Sequence, residues 1–266
     1  MAQWFHGAAR AAMVRLFPPY VAARLKVVLM GGGAGARAEL QARLAALQAD
    51  AGLARWADAS KARHKLLRET LLALLQRSED IAYGAGEEVG CGSEEDAARE
   101  LSRWSLEEKA RAGSQPRTSG SVGKPAVRGD PPSSNSSERF TAEGAAAAMK
   151  VALSAVVAGR ATPTPQEAAA AGEDTVVVTV MLVASGVRLL PRRGDAAAGL
   201  WRSWRGGRGS GRRLANPEEL CEALLGLGEL LEDDLVQLEV VWAPKARGES
   251  LSWRQLQLGY EDVLPL

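Results

Sequence analysis

Val176-Val177-Val178-Thr179-Val180, continued by Met181-Leu182-Val183-Ala184, is the stretch on which the fold turns. Valine and threonine are stiff at χ1 and fit a pleated surface, so this block reads as a strand. Residues of both parities are apolar, which predicts a central strand covered on at least one side. Ser185-Gly186 ends it.

Working outward, residues 217–231 form an amphipathic helix, capped by Asn216 with Pro217 in its first turn. Its inner face is expected to be Leu220, Ala223, Leu224, Leu227, Leu230 and Leu231. Leu235 to Trp242 reads as a second strand, stopped by Pro244, and Ser250 to Leu258 as a last helix anchored by Leu251, Trp253, Leu256 and Leu258. Two strands make a poor sheet. A third must come from Val187–Leu190, from Lys26–Met30, or from a partner chain.

Upstream the pattern is helical. Leu40, Leu44 and Leu47 recur at helical spacing, and Leu66, Leu67, Thr70, Leu71, Leu74 and Leu75 form a wide stripe over Ala59–Arg77. Gly84 and Gly86 read as the end of that helical hairpin, and Ser93-Glu94-Glu95-Asp96 as the capped start of another helix. The class is therefore α+β. A transit-like or basic N-terminal segment (1–24) precedes a helical region (25–112). A disordered linker (113–137) and an alanine-rich helical connector (138–172) then lead to a small βαβα domain (173–266), which carries an Arg/Gly/Trp-rich insertion (192–214).

Lys+Arg 33 against Asp+Glu 32 leaves a net charge of +1 over 266 residues, so no global field favours DNA or an anionic membrane. Cys91 and Cys221 are too far apart in sequence to read as a disulfide framework or zinc spacing, and both read as isolated thiols. His64 reads as a solvated histidine. Gly31, Gly33 and Ala36 match G-x-G-x-x-G/A spacing, but Leu53-Ala54-Arg55-Trp56 is not the second strand that a dinucleotide site requires. No nucleophile elbow, zinc helix or phosphate loop is present, and Asp195 and Glu239 stand alone, so no catalytic, metal or cofactor residue is expected.

One segment has the composition of a nucleic-acid tracker. Trp201, Arg202, Trp204, Arg205, Arg208, Arg212 and Arg213 interleave stacking rings and phosphate-neutralising charges with glycine. An RNA-binding accessory protein is the alternative functional reading, against a low-complexity surface insertion.

A resemblance supplies the leading one. Val176-Val177-Val178-Thr179, Leu190-Pro191, Leu227-Gly228, Leu238-Glu239-Val240-Val241-Trp242-Ala243-Pro244, Tyr260 and Leu264-Pro265-Leu266 resemble the family catalogued as domain of unknown function 1517. Leu66–Leu75 with Tyr83-Gly84, and Ser105-Leu106-Glu107-Glu108-Lys109, resemble its upstream motifs. The resemblance implies Leu190, Pro191, Gly228, Glu239, Trp242, Pro244 and Tyr260 as family-motif structural positions. It also implies a non-enzymatic chloroplast regulator of photosynthetic acclimation to changing light, working on photoprotective energy dissipation through protein partners and the thylakoid or envelope membrane. The family's hydrophobic span is reduced here to a short apolar segment ahead of the first helix, which makes a stromal location the alternative expectation.

Overall fold

A computed structural model describes residues 19–54, 58–113, 175–185, 212–214 and 217–263. The linker beyond Gly113, the alanine-rich connector 138–172 and the insertion up to 211 lie outside them, as do Leu190 and Pro191. Five strands form one antiparallel sheet: β1 (Tyr20–Met30), β2 (Ile81–Cys91), β3 (Thr175–Ser185), β4 (Arg212–Leu214) and β5 (Leu235–Ala243). Their spatial order is β4-β2-β1-β3-β5. The helices are α1 (Gly33–Gly52), α2 (Ala59–Leu75), α3 (Glu94–Gly113), α4 (Pro217–Gly228) and α5 (Trp253–Gly259). The α+β class holds.

The valine block is central. β3 pairs with β1 along its whole length, from Tyr20 opposite Ser185 to Met30 opposite Thr175, and with β5 on its other side. The third strand is therefore β1, which includes Lys26–Met30, the second of the three expected sources.

Period-2 alternation assigns each strand two faces. On one face Ala23, Leu25, Val27 and Leu29 of β1 join Val176, Val178, Val180 and Leu182 of β3 and Val240 and Trp242 of β5. This face meets the leucines of α1, α2 and α4, including Leu40, Leu44, Leu67, Leu71, Leu74, Leu220, Leu224 and Leu227. Each such side chain, fully buried, contributes about 1.5–3 kcal/mol. On the other face α3 lays Ala97, Leu101 and Trp104 against Ala22, Met181, Val183 and Val241. Beside it, Leu251, Leu256, Tyr260 and Val263 cover Val28, Ala85 and Val177.

Several sequence expectations need correction. The region 25–112 is not wholly helical, since it contributes β1 and β2 to the same sheet as the C-terminal strands. Gly84 and Gly86 lie inside β2 rather than ending a helical hairpin. By register Gly84, Gly86 and Gly90 stand opposite Val27, Leu25 and Val21, so they share the face that receives α4. A Cβ on Gly84 would come within 2.7 Å of Leu220 Cδ1 and 2.9 Å of the Lys26 carbonyl oxygen. The missing side chain is what lets α4 approach β2. Leu231 and Leu258 are exposed, because α4 stops at Gly228 and Leu258 falls on the outer side of α5. The stripe of α2 and the Ser93 cap are as expected; Ser93 Oγ accepts from the Asp96 backbone N–H at 3.2 Å.

Candidate functional site

The face beneath α3 and α5 is not uniformly apolar. Between its two hydrophobic clusters runs a buried band of charge. β1 supplies Arg24 and Lys26, at 9% and 1% exposure, on the parity of Ala22 and Val28. β2 supplies Glu87, β3 Thr179, and α3 Glu107, Glu108 and Arg111; the turn after α5 supplies Tyr260 and Asp262.

The geometry is dense. Glu108, 1% exposed, takes Lys26 Nζ at 2.8 Å, Arg24 at 3.3 Å, Arg111 at 3.2 Å and the Thr179 hydroxyl at 3.3 Å. Arg24 also reaches Glu87 at 2.5 Å and Glu107 at 3.1 Å. Lys26 donates to Asp262 at 2.5 Å, and Arg111 lies 3.5 Å from the other Asp262 oxygen. Rings complete the shell, with the Arg24 guanidinium 5.1 Å from the Trp104 centroid and Lys26 and Arg111 each 5.9 Å from that of Tyr260.

Such burial is costly unless every charge is matched. Arg24, Lys26 and Arg111 pair with Glu87, Glu108 and Asp262, and Glu107, which also reaches Arg24, is matched by Arg103. Burial, and then the charge of Glu108, pushes the Tyr260 phenol well above its usual range, against the pull of Arg111. Burial alone would raise the Asp262 carboxyl, but the charge and hydrogen bond of Lys26, helped by Arg111 and Arg24, hold it below its usual range. Tyr260 thus stays protonated and Asp262 ionised through the neutral range. Chemically the band is a set of fixed pairs that orient α3 and the C-terminal turn on the sheet.

The structure treats the sequence-derived residues unevenly. Trp201, Arg202, Trp204, Arg205 and Arg208 lie outside the described residues, while Arg212 and Arg213 fall in β4, paired with Gly86 and Ala85. Gly228 ends α4, and Trp242 is buried on the α1–α2 side of the sheet. Glu239 is not alone, for it pairs with Lys109 of α3 at 2.5 Å. The Pro244 carbonyl accepts from Gln41 at 3.0 Å. Tyr260 joins the charged band. His64 is not freely solvated; its Nε2 lies 2.9 Å from the Leu230 carbonyl. Cys91 and Cys221 are buried thiols that are not joined in a disulfide.

The glycine turn after β1 does lead into a helix, with positive φ at Gly31, Gly32 and Gly33. Its context differs from a dinucleotide site: β1 is antiparallel to both neighbours, and a Cβ on Gly32 would meet Asp80 Oδ2 at 2.9 Å. A carboxylate of the chain itself already occupies the place where a phosphate would approach.

Arg24 and Lys26 went unrecognised as site residues because their partners lie 63 to 236 positions away in sequence. The available signal was alternation from Ala22 to Val28, visible only if the strand is started at Tyr20. Among the described residues, no group of three or more His, Cys, Asp and Glu side chains could hold a metal, and no helix is long and apolar enough to cross a membrane.

Neither the curated proteins nor the solved structures contain a match to this chain. Comparison with protein families does give one, over residues 20–266, which span every element from β1 to α5. The chain belongs to the family described as Protein of unknown function (DUF1517).

Proposed function

We propose that the chain is a non-enzymatic chloroplast protein that modulates photosynthetic acclimation to changing light, adjusting photoprotective energy dissipation through protein partners at the thylakoid or envelope membrane. The observation that carries this reading is family membership over residues 20–266. The geometry of the charged band supports it. The carboxylates and cations of that band are engaged with one another, as expected of a scaffold that presents surfaces to partners. A poised acid–base pair would hold a group shifted toward neutrality, whereas Tyr260 is pushed up and Asp262 held down, both away from it.

The test is the position of a C-terminally tagged copy in an algal or plant cell, followed by alkaline carbonate extraction of the membranes. Chloroplast signal that resists extraction fits an anchored regulator, and signal released by carbonate fits a peripheral or stromal one. Cytosolic or nuclear signal overturns the photosynthetic reading. A strain lacking the gene is expected to adjust energy dissipation abnormally when light fluctuates, and a normal response would equally refute the proposal.

A further inference from the structure

After β5 the chain leaves the sheet edge at Pro244, bridges Thr175 at Leu251, forms α5 and ends its described part at Val263. Polar contacts hold this segment at both ends. At the start, Gln41 of α1, 2% exposed, donates through its amide to the carbonyls of Pro244 at 3.0 Å and Glu249 at 3.1 Å. Its carbonyl oxygen accepts the Gly248 N–H at 2.7 Å. At the far end Asp262 is fastened to Lys26 and Arg111.

Little backbone joins the segment to the rest. Leu251 N–H donates to Thr175 O at 2.8 Å, whereas the bonds of Leu256, Tyr260 and Val263 return to Ser252, Leu256 and Tyr260. A helix as short as α5 has no stability of its own in water. Leu251, Leu256, Tyr260 and Val263 bury well, but the entropy of ordering the whole segment from Pro244 offsets much of that gain. Segments so held open by themselves before the core does.

We infer that Pro244–Val263 is a releasable strap, latched at Gln41 and at Asp262. Its opening uncovers Val28, Ala85 and Val177 and leaves Lys26 and Arg111 without the Asp262 carboxylate, while α1 to α4 and the central strands stay folded. This device stands independently of the photosynthetic role.

Native-state hydrogen exchange of the full chain, read by mass spectrometry, tests it. In the wild type, peptides covering 244–263 should exchange through an opening more frequent than that of β1 and β3. Asp262→Asn should raise strap exchange about fivefold or more, with β1 and β3 unchanged. Gln41→Ala should do the same from the other end. Strap amides that exchange at the rate of β3 would overturn the inference. So would variants that speed all peptides equally, or a strap indifferent to both substitutions.

Discussion

Glu108 is the side chain on which the buried charges converge. It serves Lys26, Arg24, Arg111 and the Thr179 hydroxyl together, whereas Lys26 is paired with Glu108 and Asp262. Removing one partner from a buried pair strands the other, at about 3–5 kcal/mol. Glu108→Leu is therefore expected to lose an amount in that range. Lys26→Met should lose less, because Arg24 and Arg111 still neutralise Glu108 and the methionine keeps the apolar stem. Urea denaturation with an unchanged m-value checks the order, and a larger loss for Lys26→Met would refute this account of the network. The pH dependence follows from the two shifted groups. Asp262, held below its usual range, adds stability that is present above about pH 4 and fades as acid protonates the folded carboxyl. Tyr260, held above its range, leaves stability intact below about pH 10, and stability falls beyond that as the unfolded phenol ionises and the buried one does not. Asp262→Asn should flatten the acid limb and Tyr260→Phe the alkaline limb, as measured by melting temperature from pH 2 to 11.

Elements differ in how openly their sequence declares them. β3 is legible because both its faces are apolar and its residues β-branched. α2 and α4 are legible because each has one leucine stripe, though the exposed Leu231 shows that the stripe of α4 runs past the point where the helix ends. β2 is not legible. Ile81-Ala82-Tyr83-Gly84-Ala85-Gly86-Glu87-Glu88-Val89-Gly90-Cys91 lacks β-propensity because its partner is a helix that needs glycine beneath it. The same contact gives a prediction. Gly84→Ala places a methyl against both the Leu220 side chain and the Lys26 carbonyl, and the second of these is backbone that cannot rotate away. A loss of about 1–3 kcal/mol is expected. Leu220→Ala in the same chain should recover only part of it, since the carbonyl contact remains. Full rescue by Leu220→Ala would mean that the side chain alone set the spacing. The charged band was illegible for another reason: its members are apolar-strand intruders until five separate segments are brought together.

At the scale of the whole molecule, the two stretches flanking the linker are interleaved and do not stand as independent domains. β1 and β2 come from before it and β3, β4 and β5 from after it, yet the spatial order places β4 outside β2 and β3 against β1. The second stretch thus reaches around the first to pair Leu214 with Gly84, while Glu108 and Arg111 of the first hold Asp262 and Thr179 of the second, directly or through Lys26. Either stretch alone would expose the full edge of its best strand, β1 or β3, together with half of each core cluster. This explains why the valine block signals a central strand although the sequence near it offers so few neighbours. It also dictates how the chain behaves when cut. Residues 1–113 and 175–266 made separately are expected to be unfolded or aggregated, and when co-expressed to purify together with the far-ultraviolet dichroism of the intact chain. Because the β1–β3 register is continuous over its whole length, the association should survive salt that breaks exposed ion pairs. A soluble, cooperatively melting 175–266 fragment on its own would show that the C-terminal stretch completes its sheet some other way.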